Sequence, residues 1–154
     1  MDLLLQSQTL ALLTLTFVLS AVIGVEREWH GHGCGIRPCV LVAVGAAAYS
    51  NFVTGRLPDS TWGAGFGAIV TGVGFLGAGA ILKEDRRRVV HGLSTAATIW
   101  AVAIFGLLIG AYNVTSGATL AVLVLLVNVL LRPAAALIAR RSKLRRTTDD
   151  ILDG

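Results

Sequence analysis

Charge is scarce in this chain. Charged residues make up 14% of its 154 residues and apolar residues 55%, with a mean hydropathy of +0.74. A soluble domain carries about 25% charged residues. A soluble chain this short would have to turn much of its apolar surplus toward water, and a disordered chain would not be so apolar. Cysteine is scarce too: two residues exclude a disulfide-stapled secreted domain. The signatures of enzymes are missing as well. There is no G-x-S-x-G, no H-E-x-x-H, no P-loop and no pair of carboxylates within an apolar run. The expectation is a protein that is not an enzyme and needs no cofactor.

What the chain has is long apolar runs. Crossing a bilayer takes about 20 residues at about 1.5 Å each, so five crossings use on the order of 100 residues. That leaves short loops and two tails, with no sizeable extramembrane catalytic domain. Five runs are readable: Leu3 to Val25, Pro38 to about Val53, Gly63 to Leu82, Leu93 to about Ala111, and Val114 to Leu131. The second is short, and four spans with a re-entrant piece is the competing count. The first lacks a basic leader and is too long for a signal-peptide core, which makes it a retained span. Pro133 is expected to end or kink the fifth helix. The fold expected is all-α, a polytopic membrane bundle of five transmembrane helices. A short basic interfacial helix should follow, attracted to anionic headgroups. The division expected is a transmembrane domain over 1–139 and a basic cytoplasmic tail over 140–154.

The basic residues orient this bundle. With the N-terminus outside, Arg27, Arg37, Lys83, Arg86, Arg87, Arg88, Arg132, Arg140, Arg141, Lys143, Arg145 and Arg146 all fall inside. Only Arg56, of 13 Lys and Arg residues, falls outside. This is the positive-inside pattern, and it favours an odd number of spans. It also accounts for the pI of 9.7 without nucleic-acid binding. Cys34 and Cys39 then lie on the reducing side, so no disulfide is expected. Trp29, Trp62 and Tyr112 sit near interfaces, whereas Trp100 lies inside the fourth span and should need a partner helix.

Several residues carry candidate chemistry. Glu26, Arg27 and Glu28 close the first span and Arg37 opens the second. On a helix Glu26 and Glu28 lie about 200° apart, so a Glu26–Arg37 pair is one reading and snorkelling interface anchors the other. Ser94, Thr95 and Thr98 form a hydroxyl stripe at the start of the fourth span, suited to bonding a helix carbonyl or a neighbouring helix. Thr71 and Asn128 are polar groups well inside spans; Asn128 suits joining either two helices or two subunits. Gly72, Gly74 and Gly77 match G-x-G-x-x-G only formally, for no strand precedes them. Gly63/Gly67 and Gly106/Gly110 are G-x-x-x-G pairs. With Gly72, Gly74, Gly77 and Gly79 they are read as helix-packing positions, against the alternative of an unwound helix lining a polar site. His30, His32, Cys34 and Cys39 match no structural zinc pattern, and the default is a glycine-rich loop with incidental histidines.

Together these blocks resemble a known family. Gly24-Val25-Glu26-Arg27-Glu28, Gly35-Ile36-Arg37, Gly72 to Gly79, and His91-Gly92-Leu93-Ser94-Thr95-Ala96-Ala97-Thr98-Ile99-Trp100 look like the signature blocks of the MgtC/SapB family, in the same order. Pro38 and Ser94 stand where threonine is commoner in that family. The resemblance implies a bacterial inner-membrane protein of low-magnesium adaptation, and of virulence in pathogens. It also implies two rival roles: Mg²⁺ transport, or regulation of other membrane proteins such as the F-type ATP synthase. The residues carried over are Glu26, Arg27, Arg37, Gly72, Gly74, Gly77, Gly79, Thr95 and Thr98. Because the chain stops at Gly154, it is expected to be the membrane domain alone, without the soluble C-terminal domain of longer members.

Residue chemistry weighs the two roles. Mg²⁺ is usually held by one or two carboxylates plus waters, and the acidic residues here lie outside the span interiors, Glu26 at the rim. An oligomeric pore lined by Thr71, Ser94 and Thr98 is the transport alternative, with Mg²⁺ as substrate or ligand. The packing glycines suit a self-associating or partner-binding protein, and that role is favoured.

Overall fold

A computed structural model of the chain describes residues 2–84 and 89–152; for residues 2–5, 82–84, 89–90, 134–137 and 139–152 it describes the backbone alone. The fold is an all-α membrane bundle of five helices: α1 (Asp2–Trp29), α2 (Ile36–Arg56), α3 (Trp62–Gly79), α4 (Leu93–Gly110) and α5 (Val114–Leu152). All five are long and apolar enough to cross a membrane. Between α3 and α4 lies a two-stranded antiparallel hairpin, β1 (Leu82–Glu84) and β2 (Val89–His91), pairing Leu82 with His91. The hairpin has no sequence signal, because its stretch is dominated by the basic run at 86–88. Arg86, Arg87 and Arg88 themselves lie outside the described residues.

The two weakest expectations about the helices resolve differently. The second span is full length at 21 residues, with Pro38 in its first turn, where a missing amide hydrogen breaks no helical bond. Pro133, by contrast, does not end α5: the helix runs on through it to Leu152. The expected separate interfacial helix is corrected to a continuation of α5. Good helix formers on the far side of the proline (Ala134 to Ala136, then Leu137) offset one lost hydrogen bond. Of the tail's basic residues only the backbone is described.

α4 is the centre of the bundle, touching the other four helices. Its closest neighbour is α2. A side chain on Gly106 would run into the backbone of Ala43, and one on Gly110 into that of Ala47. The two backbones therefore approach as only glycine allows, and Ser50 Oγ donates across the seam to the Leu107 carbonyl at 2.8 Å. Phe105, Val102 and Ile109 are fully buried around this seam. Tight entry into α4 needs Gly92, whose φ is +90° and whose α-carbon abuts the Ala80 backbone.

α3 differs. Gly65 faces Val53 and Gly77 faces Ala96, yet around Gly63, Gly67, Gly72, Gly74 and Gly79 there is open space. For these five, the expected packing role is not met within one chain. Nor does α3 unwind: it is helical throughout, and Thr71 Oγ1 donates to its own helix at the Gly67 carbonyl, 2.9 Å away. Trp100, expected to need a partner helix, is half-exposed on the bundle surface.

Candidate functional site

The end of α1 turns back on itself through a glycine. Gly31 takes φ +69°; its N–H donates to the Glu28 carbonyl and the His32 N–H to the Arg27 carbonyl, both at 3.0 Å. This left-handed closure caps the helix and lays His32 over the Arg27 turn. Glu28 caps the next helix: its carboxylate accepts the Ile36 N–H at 2.9 Å, a charge well placed at the start of α2. A side chain on Gly35 would collide with that carboxylate. Glu28 thus caps α2.

The closure leaves Arg27 inside. Its side chain is 2% exposed, the only charged residue fully buried among the described ones. One guanidinium nitrogen donates to Ser94 Oγ at 3.2 Å and another to Thr95 Oγ1 at 3.1 Å. The hydroxyls at the opening of α4 therefore serve α1, while Thr98 donates back to the Ser94 carbonyl of its own helix at 2.9 Å. Neither hydroxyl carries a charge to balance the guanidinium. Burying a cation costs several kcal/mol.

The nearby carboxylate looks elsewhere. Glu26 pairs with His30, Nδ1 to Oε1 at 3.0 Å, so the expected Glu26–Arg37 pair does not form. The physical reason is direction: α1 continues as a helix past Glu26 and aims it toward His30 one turn on and toward α5, while Arg37 is exposed on the α2 side. Arg37 lines a separate open depression with Glu28 and His32.

A cavity of about 290 Å³ opens between α1, the 30–35 loop, α4 and α5. It is lined by Glu26, Arg27, His32, Ser94, Asn128 and Arg132, with Val127 and Leu131 at its apolar edge. Among the described residues, four buried polar side-chain atoms have no hydrogen-bond partner: Glu26 Oε2, Arg27 Nε, His32 Nδ1 and Asn128 Nδ2. All four belong to residues lining this one cavity. Each unmet group costs roughly 1–3 kcal/mol when buried, and here they share one cavity. Burial, then the neighbouring Arg27 and Arg132 cations, hold His32 below the ordinary imidazole range. At neutral pH it is uncharged, and the cavity carries Arg27 and Arg132 against Glu26.

The sequence reading found Glu26, Arg27, Ser94, Thr95 and Asn128 separately; the structure gathers them at one end of the bundle. It missed Arg132 and His32 as site residues, although a basic residue closing a span and a histidine after Gly31 were visible. Thr71 and Arg37 stay outside. Cys34 and Cys39 are both buried and free, with sulfurs 3.0 Å apart. Among the described residues no three His, Cys, Asp or Glu side chains gather as a metal site. At the other end Thr9, Asn51, Arg56 and Tyr112 line a wider opening of about 710 Å³. The start of α1 and the ends of α2 and α4 thus share one end of the bundle, as alternate crossing requires.

Comparison with known proteins places this geometry. Residues 13–137 match the MgtC family. Protein MgtC of Brucella abortus (strain 2308) is 42% identical over 127 residues, 82% of this chain and 52% of that protein. Protein MgtC of Salmonella typhimurium (strain LT2) is 42% identical over 118 residues, 77% of this chain and 50% of that protein. The chain spans about half the length of these curated relatives. No solved structure matches it.

Proposed function

The chain belongs to the MgtC family, and on that premise we propose that it acts in bacterial adaptation to low magnesium by contact with other membrane proteins. In this reading it lies in the inner membrane with its N-terminus outside and its C-terminus in the cytoplasm, where the basic residues accumulate. It carries out no reaction of its own.

One observation carries the preference over Mg²⁺ transport. The charge buried in the bundle is a cation, Arg27, at the end where an inward-moving Mg²⁺ would leave. A divalent ion would meet that guanidinium with a single lining carboxylate, Glu26, one of whose oxygens is engaged by His30. Mg²⁺ sheds water reluctantly and seeks carboxylates, so this end of the bundle opposes it. The exposed glycine face of α3 supports the other half of the proposal, since small residues allow a second helix to approach closely. The F-type ATP synthase is the partner the family resemblance suggests. The same face also suits a second copy of the chain.

Mg²⁺ flux into proteoliposomes holding only this protein tests the proposal. The expected result is flux no greater than that of empty vesicles. Saturable flux lost on Glu26→Ala would establish transport instead.

A further inference from the structure

The cavity around Arg27 does not end at its polar rim. Ser94, Val127 and Asn128 also line a second cavity, of about 280 Å³, that runs between α4 and α5. Its walls are mostly apolar: Ala97, Ala101, Leu120, Leu123 and Val124, with Thr98, whose hydroxyl is turned to its own helix at the Ser94 carbonyl, among them. Ser94 opens α4 and Asn128 lies one turn from Arg132, so the polar chamber sits at the membrane edge. The groove leads from there along the two helices toward the bilayer interior, past Ala101 and Leu120. A charged chamber joined to an apolar slot has the form of a phospholipid, head at the membrane surface and one chain beneath.

The polar atoms narrow the headgroup. Arg27 Nε and Asn128 Nδ2 are unmet donors, and Arg132 adds a second guanidinium beside them. These suit a phosphate. Glu26 Oε2 is an unmet acceptor in the same chamber and would repel a bare phosphate. It calls for a headgroup with a donor of its own next to the phosphodiester. The ionised side chains (Arg27, Arg132, Glu26) leave one positive charge, which a headgroup of net charge −1 neutralises. At about 290 Å³ the chamber also has far more room than one bridging water, about 30 Å³ in the liquid, would need.

We infer that the chain holds one anionic, hydroxylated glycerophospholipid, of the phosphatidylglycerol type, with its phosphate on Arg27, Arg132 and Asn128. A headgroup hydroxyl donates to Glu26, and one acyl chain lies in the α4–α5 groove. The lipid meets Arg27 Nε, Asn128 Nδ2 and Glu26 Oε2, three of the four unmet atoms, and joins α1 to α5 at the cytoplasmic face.

The test uses the full chain, purified in detergent and stripped of lipid. Native mass spectrometry and thermal unfolding are followed with phosphatidylglycerol, phosphatidylethanolamine, phosphatidylcholine or inorganic phosphate added. Phosphatidylglycerol should be retained at one per chain and raise the unfolding temperature most. Phosphatidylethanolamine, which has a donor but no net charge, should come second, and phosphatidylcholine, which has neither, last. Inorganic phosphate alone should not protect. Arg27→Gln risks the fold, so the test rests on two milder variants. Arg132→Gln should weaken phosphatidylglycerol retention about tenfold, the loss expected for one charge-assisted contact. Ala101→Phe, which fills the groove, should weaken it similarly while helicity is unchanged. Glu26→Gln should narrow the preference for phosphatidylglycerol over phosphatidylcholine. Equal retention of the three lipids, protection by inorganic phosphate alone, or indifference to both Arg132→Gln and Ala101→Phe would overturn the inference.

Discussion

Two helices of this bundle carry the same small-residue motif and use it differently. On α4, Gly106 and Gly110 sit against the Ala43 and Ala47 backbones of α2, and the seam is sealed by the Ser50 hydrogen bond. On α3, Gly63, Gly67 and Gly74 fall within about 40° of one another on the helix, with Thr71 and Ala78 beside them, and all five are exposed. Among the described residues, no other helix comes within 4 Å of where a side chain on these three glycines would begin. A G-x-x-x-G pair therefore says that a backbone can come close, not whose backbone it is. On α4 the partner is within the chain. On α3 the approach is left open among the described residues.

That contrast can be broken at either helix. The largest effect belongs to Gly106→Leu, whose side chain has only the α2 backbone to displace. It should cost about 3 kcal/mol or more and leave little monodisperse protein in detergent. Ser50→Ala removes one buried bond of the same seam and leaves the Leu107 carbonyl short of a donor. A loss of about 1 kcal/mol is expected in reversible unfolding. Gly74→Leu and Gly67→Leu on α3 should change stability by no more than about 0.5 kcal/mol yet abolish association in the membrane. Substantial unfolding by either would mean that α3 is packed within the chain after all.

The smallest effect comes from the end of the bundle. The folded state holds His32 below its ordinary range, so the unfolded chain takes up a proton there first. His32's contribution to stability is therefore complete at about pH 7.5 and declines as pH falls through about 6.5. Melting temperatures measured between about pH 7.5 and 5.5 should show this decline, and His32→Gln should flatten it.

The sequence made the spans legible because apolar runs and the placement of Lys and Arg are one-dimensional signals. It could not tell the α4 glycines from the α3 glycines, since the difference lies in which helices become neighbours. Pro133 misled because a proline's local cost is visible and the compensation after it is not. At the candidate site, Glu26 and Glu28 read in the sequence as charges closing a span, to be paired with Arg37 or anchored at the interface. The structure turned them into a histidine partner and a helix cap, and put Arg27 between them in the interior. A clue was present: an arginine closing one span and a Ser-Thr pair opening another. Only the glycine turn at Gly31 and the packing of α1 on α4 show that they meet.

A photoreactive side chain at position 74, compared with one at position 106, tests the central claim most directly. In native membranes, position 74 is predicted to crosslink to a second polypeptide, and position 106 only within its own chain. Crosslinks from position 74 to lipid alone, at a level where position 106 still reports α2, would contradict it.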